Sequence, residues 1–245
     1  MQWSFLTCTL DEVLKTKMFL ALLFDFVDQF IESKFNRMRQ VDHIVYCVPI
    51  LEEGIDYIEN ILGVRPAIGG RHLNRGTKNA LLNLGNACYL EILAADYENE
   101  DFKGERWMGI DLIDHPKITR WSIKSEDLKS DSRILQSYNP ELSTIFGGSR
   151  KTTSGSTLSW NMMLPSSRPE LELVPFMTDW STSSVHPTDS LPEICTLSSV
   201  FLSHPDPLGI QPVLDQLNIE ILVAKADEAK ICVEINSPNG LKTLC

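Results

Sequence analysis

Basic charge is scarce in this chain: 22 Lys and Arg stand against 33 Asp and Glu, a formal net charge of -11. Neutralising a phosphate backbone takes clustered cations, so the balance argues against a nucleic-acid partner. Cysteine is sparse and scattered. Cys8, Cys47, Cys88, Cys195, Cys232 and Cys245 contain no C-x-x-C pair, which fits neither a zinc-ribbon spacing nor the dense framework of a small secreted domain. The expectation is reduced thiols in a cytoplasmic setting, with no zinc-thiolate site and no native disulfide. Long apolar runs are missing as well. The uninterrupted stretch Met18 to Phe24 falls far short of the roughly 20 residues that a bilayer requires, so no transmembrane segment is expected. Asp25 and Asp28 follow it and no small-residue cleavage site does, which speaks against a signal peptide. What is present, 43% hydrophobic and 22% charged over 245 residues, can build one large or two small cores. Small-molecule chemistry is the default class.

The first forty residues stand apart. Thr9 and Glu12 form a T-x-x-E capping box, and the chain after them runs to Phe35 without Gly or Pro, so a helix of about 25 residues is predicted. Leu20, Leu23, Phe24, Val27, Phe30 and Ile31 make a broad apolar stripe along it. Such a stripe has to be covered, by a groove of the domain, by a second copy of the chain in a homodimer, or by a membrane surface.

From Val41 onward the sequence reads as modules. In VDHIVYCV, Val41 to Val48, alternation puts His43, Val45 and Cys47 on one face and Ile44, Tyr46 and Val48 on the other. Leu51 to Leu62 spaces Ile55, Ile58 and Leu62 along one helical face, and Gly63 is its stop. Val64 to Ile68 begins a second strand, the loop GGRHLNRGT follows, and Ala80 to Leu84 and Tyr89 to Leu93 form strands three and four around a Gly85-Asn86 turn. That completes one βαβββ unit over residues 41–95.

Residues 96–194 hold an acidic linker and a less regular second unit. Its expected elements are a strand at Ile118 to Ile123, a helix at Lys129 to Ser137, and strands at Ser156 to Leu164 and Leu171 to Met177. A Ser/Thr/Gly-rich connection is expected at Gly147 to Ser156. Aligned on the SEDL and PILE that follow the first strands, Arg120 stands where the first unit has His43. Residues 195–245 read strand, helix (Leu208 to Leu217), strand, strand, a partial third unit closed by a Pro238-Asn239-Gly240 turn. The fold class expected is α+β, tandem βαβββ modules behind an N-terminal helix.

The segments DHIVYCVPILEEGIDYIENILGVRPAIGGRH, GTKNALLNLG and CYLEIL, with LVPFMTDW and the HP at His186-Pro187, resemble the glyoxalase-like domain family of the vicinal-oxygen-chelate superfamily. The resemblance spans residues 41 to 244. It implies a metal-dependent lyase, isomerase or dioxygenase-like enzyme, since superfamily metal sites take a His or Gln from the first strand and a Glu from the fourth, the places of His43 and Glu91. Where members of the family carry a His, this chain has Lys78, which cannot ligate while protonated.

A histidine and a carboxylate, each single on its strand and brought together by sheet pairing, suit a divalent metal or an acid-base pair. The candidate metal ligands are therefore His43, Glu91 and His186, with Glu91 and His72 as catalytic groups. Equally, His43 fits a partly buried histidine bonded to a neighbouring strand. Arg71, His72 and Arg75 make a small basic loop suited to an anionic substrate, or one simply solvated. Asn79 can both donate and accept within a site. Trp160 and Trp180 suit an aromatic pocket wall or core packing. The competing function, from a different class, is a metal-free binding or stress-tolerance protein that uses the same cup.

Overall fold

The computed structural model describes residues 39–151 and 157–245, and the predicted N-terminal helix, its apolar stripe and Cys8 lie outside them. The first module is β1 (Val41–Cys47), α1 (Leu51–Leu62), β2 (Ala67–His72), β3 (Thr77–Asn83) and β4 (Tyr89–Ala95). Alternation works as expected here. Ile44, Ile92, Ile55, Ile58 and Leu62 are buried between the sheet and α1, each large side chain contributing on the order of 1.5–3 kcal/mol. Gly54 brings the helix within contact of Val48 and Ile92, where a Cβ would sit 2.9 Å from Val48. Gly63 ends the helix in the left-handed region at φ 76°, its N–H donating to the Glu59 carbonyl. The second strand starts at Ala67 and not Val64, since Val64 and Arg65 carry the chain away from the cap and Pro66 has no N–H for a ladder.

The second module repeats the order with β5 (Lys117–Lys124), α2 (Leu128–Tyr138), β6 (Ile145–Lys151), β7 (Thr157–Met163) and β8 (Phe176–Asp179). The two modules join along antiparallel β1 and β5, giving one eight-stranded sheet in the order β2-β3-β4-β1-β5-β8-β7-β6. Each half has the same internal order, counted outward from the seam. The tandem βαβββ architecture is thus observed.

Two local expectations are corrected. Gly147 to Lys151, expected in a connection, belongs to β6 and pairs with β7 along its whole length. Gly148 has to be glycine there, because a Cβ would meet the Trp160 indole at 2.5 Å. The expected strand Leu171 to Met177 forms only from Phe176. Trp121 Nε1 donates to the Leu173 carbonyl at 2.6 Å, Glu172 takes the Val174 N–H at 3.0 Å, and Pro175 has none to give.

The C-terminal part is β9 (Thr196–His204), α3 (Pro207–Gln216), β10 (Val223–Lys225), β11 (Lys230–Ser237) and β12 (Gly240–Leu244), a separate four-stranded sheet ordered β10-β9-β11-β12. It has three strands after its helix, one more than expected, the extra one being only three residues long. The β11–β12 hairpin also overturns the thiol expectation: Cys232 and Cys245 form a disulfide with Cα atoms 4.1 Å apart. The pairs Val233–Leu244 and Ser237–Gly240 fix a register that sets the two cysteines opposite each other. Thiol titration of denatured protein with and without reductant will differ by two. Cys47, Cys88 and Cys195 remain free and buried. Among the described residues no helix is long and apolar enough to cross a membrane.

Candidate functional site

His43, Asn79, Leu81 and Glu91 project from β1, β3 and β4 into the concave face of the sheet, away from α1. They line one cavity together with Tyr89, Trp107, Trp160, Trp180 and Thr178, so the second module supplies the facing wall. The space within it is small, about 50 Å³. His43 Nε2 stands 3.8 Å from Glu91 Oε2, and the other Glu91 oxygen accepts a 2.6 Å hydrogen bond from Asn79 Nδ2. Asn79 is held in turn, its Oδ1 accepting the Gly70 N–H at 2.9 Å. The His43 ring is fixed by stacking on Tyr89, with centroids 4.6 Å apart and planes 14° apart, and by the edge contact of Phe176.

Asp42 was not foreseen. Simple alternation sends residues 42 and 43 to opposite faces, but the β1–β5 register slips between Val41 and His43, and this bulge turns Asp42 toward its neighbour. Asp42 Oδ2 lies 2.6 Å from His43 Nδ1, and Oδ1 accepts the Trp180 indole N–H at 2.8 Å. Burial would raise this carboxyl, but the His186 and His43 rings and the Trp180 N–H overcome it and hold it at about 2. An ionised Asp42 therefore orients the imidazole, with Nδ1 turned to the carboxylate and Nε2 to Glu91 and the cavity.

The remaining candidates divide. His186 Nε2 lies 3.6 Å from Asp42 Oδ1 and its Nδ1 2.9 Å from Thr188 Oγ1, so the ring backs Asp42; its neighbour Pro187 reaches the cavity. His72 Nδ1 is 3.0 Å from Thr77 Oγ1, and His72 lines both the small cavity and a wider chamber of about 550 Å³ beside it. Arg71 and Arg75 line that chamber alone, opposite Gly147 and Gly148. Trp160 and Trp107 belong to both spaces, and Trp180 to the inner one. Lys78, at the outer side of β3, pairs with Glu52 at 3.4 Å.

The second module lacks a matching site for a structural reason. Arg120 lies eight residues before α2, as His43 lies eight before α1, and Phe176 pairs two positions beyond it, where the first module has Glu91. The buried Arg120 guanidinium donates to the carbonyls of Thr119, Ser166, Pro169 and Glu170 at 2.6 to 3.2 Å. Burial lowers it to about 10, which leaves it charged at neutral pH. Thr119 Oγ1 donates to the Met108 carbonyl at 2.7 Å, so the loops around 108 and 166–170 are tied over this half of the concave face.

A divalent ion in a catalytic site is held by about three protein donors. Here His43 and Glu91 face each other, but among the described residues no third His, Cys, Asp or Glu gathers with them. The Asn79 amide is committed to Glu91 and Gly70, and His186 Nδ1 to Thr188, while His186 Nε2 stands 3.6 Å from Asp42 with no hydrogen bond of its own. Among the described residues, the donors gathered with His43 and Glu91 do not complete such a three-ligand site.

A hypothetical protein from Staphylococcus aureus is similar in fold, with a TM-score of 0.57 at 14% identity over 79% of this chain and 88% of that one. Also similar are methylmalonyl-CoA epimerase from Mycobacterium tuberculosis and a hypothetical protein from Bacillus halodurans C-125. The epimerase gives a TM-score of 0.36 at 20% identity over 57% of this chain and 86% of its own. The Bacillus protein gives 0.35 at 14%, over 58% and 92%. None of the curated proteins compared matches the chain. The model of the glyoxalase-like domain matches residues 41–217, the paired modules, the strand β9 and the helix α3. The chain belongs to the glyoxalase-like domain family.

Proposed function

We propose that the protein is an acid-base enzyme of the isomerase or lyase type, moving a proton at a carbon next to a carbonyl of a small oxygenated substrate. The observation that carries this reading is the pair His43 Nε2 and Glu91 Oε2, 3.8 Å apart on the cavity floor, with Asp42 behind the histidine and Asn79 behind the glutamate. Each of the two groups is held by a buried partner, the arrangement that proton transfer needs. In the step itself, His43 Nε2 takes the α-proton and the C–H electron pair moves into the carbonyl, giving an enolate beside an imidazolium. The proton then returns from the imidazolium to the same or an adjacent atom of the substrate, or Glu91 carries it there. Atoms and charge balance without a co-reactant. The apolar walls, Leu81, Met162, Trp160 and Trp180, pack on the substrate body, and the open mouth lets solvent exchange the proton that the imidazolium holds before it is returned.

The test is solvent exchange. In D2O with EDTA present, purified protein will incorporate deuterium next to the carbonyl of at least one member of a panel of small ketones and oxo acids, read by NMR. Exchange that appears only after a divalent metal is added would replace this reading with the metal-dependent one. Binding without exchange by any member would leave the cup as that of a ligand-binding protein.

A further inference from the structure

The wide chamber beside the small cavity has a charge pattern that the proton-transfer pair does not use. Two arginines line it, Arg71 and Arg75, and Arg71 and two cations of neighbouring segments, Arg106 and Lys78, are spoken for. Arg71 Nε lies 2.5 Å from Asp96, Arg106 Nη1 2.9 Å from Asp111, and Lys78 Nζ 3.4 Å from Glu52. Arg75 has no carboxylate partner among the described residues. Its guanidinium lies over two aromatic rings, 5.2 Å from the Trp107 centroid and 5.0 Å from that of Phe146.

The backbone shapes this placement. Arg75 ends a 3-10 turn, Leu73–Arg75, and the following Gly76 turns left-handed at φ 64°, packing on the Phe102 ring. Across the chamber, Gly147 and Gly148 of β6 present no side chains. The half-buried guanidinium thus faces an open volume with its fork unopposed, and burial, which only lowers its pKa, does not discharge it at neutral pH. In a chain of net charge -11, an uncompensated cation in a concave, aromatic-walled space is an anion receptor.

We propose that Arg75 holds the carboxylate of a bifunctional substrate, an oxo acid whose carboxylate is separated by an apolar or aromatic body from the carbonyl that His43 and Glu91 act on. The two spaces share His72, Trp107 and Trp160, so a single molecule can run from the Arg75 fork along the indoles to the proton-transfer pair. A planar carboxylate matches the planar fork in two hydrogen bonds, and the indoles match the apolar spacer. This substrate class rests on the proton-transfer reading for its carbonyl end only.

The probes are 5-oxohexanoate and 4-acetylbenzoate, each compared with its methyl ester, with affinity from calorimetry and deuterium incorporation from NMR on the full chain. The wild type is expected to bind at least one acid about ten-fold or more tightly than its ester. R75Q should remove that preference, bringing acid and ester to similar affinity, and R75K should keep part of it. H43Q should keep the preference and lose exchange. An acid bound no better than its ester by the wild type, or a preference that survives R75Q, would overturn the proposal. Preference lost in R75Q with no exchange by the wild type would keep the anion site and discard the chemistry, so the two claims fail separately.

Discussion

The His43→Gln variant will exchange substrate protons about 10²- to 10⁴-fold more slowly than the wild type, the usual contribution of one positioned acid-base group. Glu91→Gln will lose activity too, because the same cavity floor then holds one titratable group instead of two. Both variants keep a side chain of similar size, so their melting temperatures should stay close to the wild type while the rate falls. Asp42→Asn acts through the histidine. An Asn at 42 cannot accept from both His43 Nδ1 and Trp180 Nε1 with two oxygens, as the carboxylate does, and the imidazole loses the partner that fixes its tautomer. Its rate should fall about 10²-fold or more. A wild-type rate in Asp42→Asn would show that the bulge at Asp42 has no part in the chemistry.

Asp42 also predicts an acid limb of stability. Its carboxyl is held at about 2 when folded, against roughly 3.9 in an unfolded chain. A depressed carboxyl stabilises the folded state above the unfolded pKa and ceases to do so as pH falls through the folded one. The wild type should therefore lose on the order of 2 kcal/mol between about pH 4 and pH 2 from this group, a loss that Asp42→Asn will not show in melts across that range.

The second large effect is at Arg120. Arg120→Met removes the donor to four carbonyls, of Thr119, Ser166, Pro169 and Glu170, and leaves the three in the partly buried loop without their donor. Losing these charge-assisted hydrogen bonds costs about 1–3 kcal/mol. The denaturation midpoint should fall accordingly. Because the segment 166–170 is the part released, protease cleavage there should rise before global unfolding does. An unchanged midpoint would mean that the carbonyls find water at little cost.

The first module was readable because its signals agree. Alternation in β1 and β4, the spacing of Ile55, Ile58 and Leu62, and the Gly63 stop all depend on local periodicity, and His43 and Glu91 followed from them. The features missed depend on partners distant in sequence. β6 reads as a loop because Gly147 and Gly148 weaken strand propensity, and only the Trp160 ring lying on Gly148 explains why glycine is tolerated. Asp42 was hidden by the bulge, which period-two counting cannot anticipate, and Asp42 is the residue that holds His43 Nδ1. The Cys232–Cys245 pair is legible in the hairpin, since counting outward in equal steps from the Pro238-Asn239 turn sets the two opposite, whereas the scatter of all six cysteines points away from it. The anchoring role of Arg75 depends on where Asp96, Asp111 and Glu52 fall in space, which no spacing along the chain reveals.

The register slip beside Asp42 has a consequence for portability. In a regular strand, a base and the carboxylate that polarises it must come from different segments, and their alignment then relies on long-range packing. The bulge makes them consecutive residues of one strand, so the contact between carboxylate and imidazole is local, while Tyr89, Phe176 and Trp180 hold the pair from outside. A transplanted unit needs an antiparallel neighbour to bulge against and these three rings. It is short enough to transplant as a cassette into the edge of another sheet, where restoring strict pairing by deleting one residue would turn the carboxylate to the opposite side and silence the histidine.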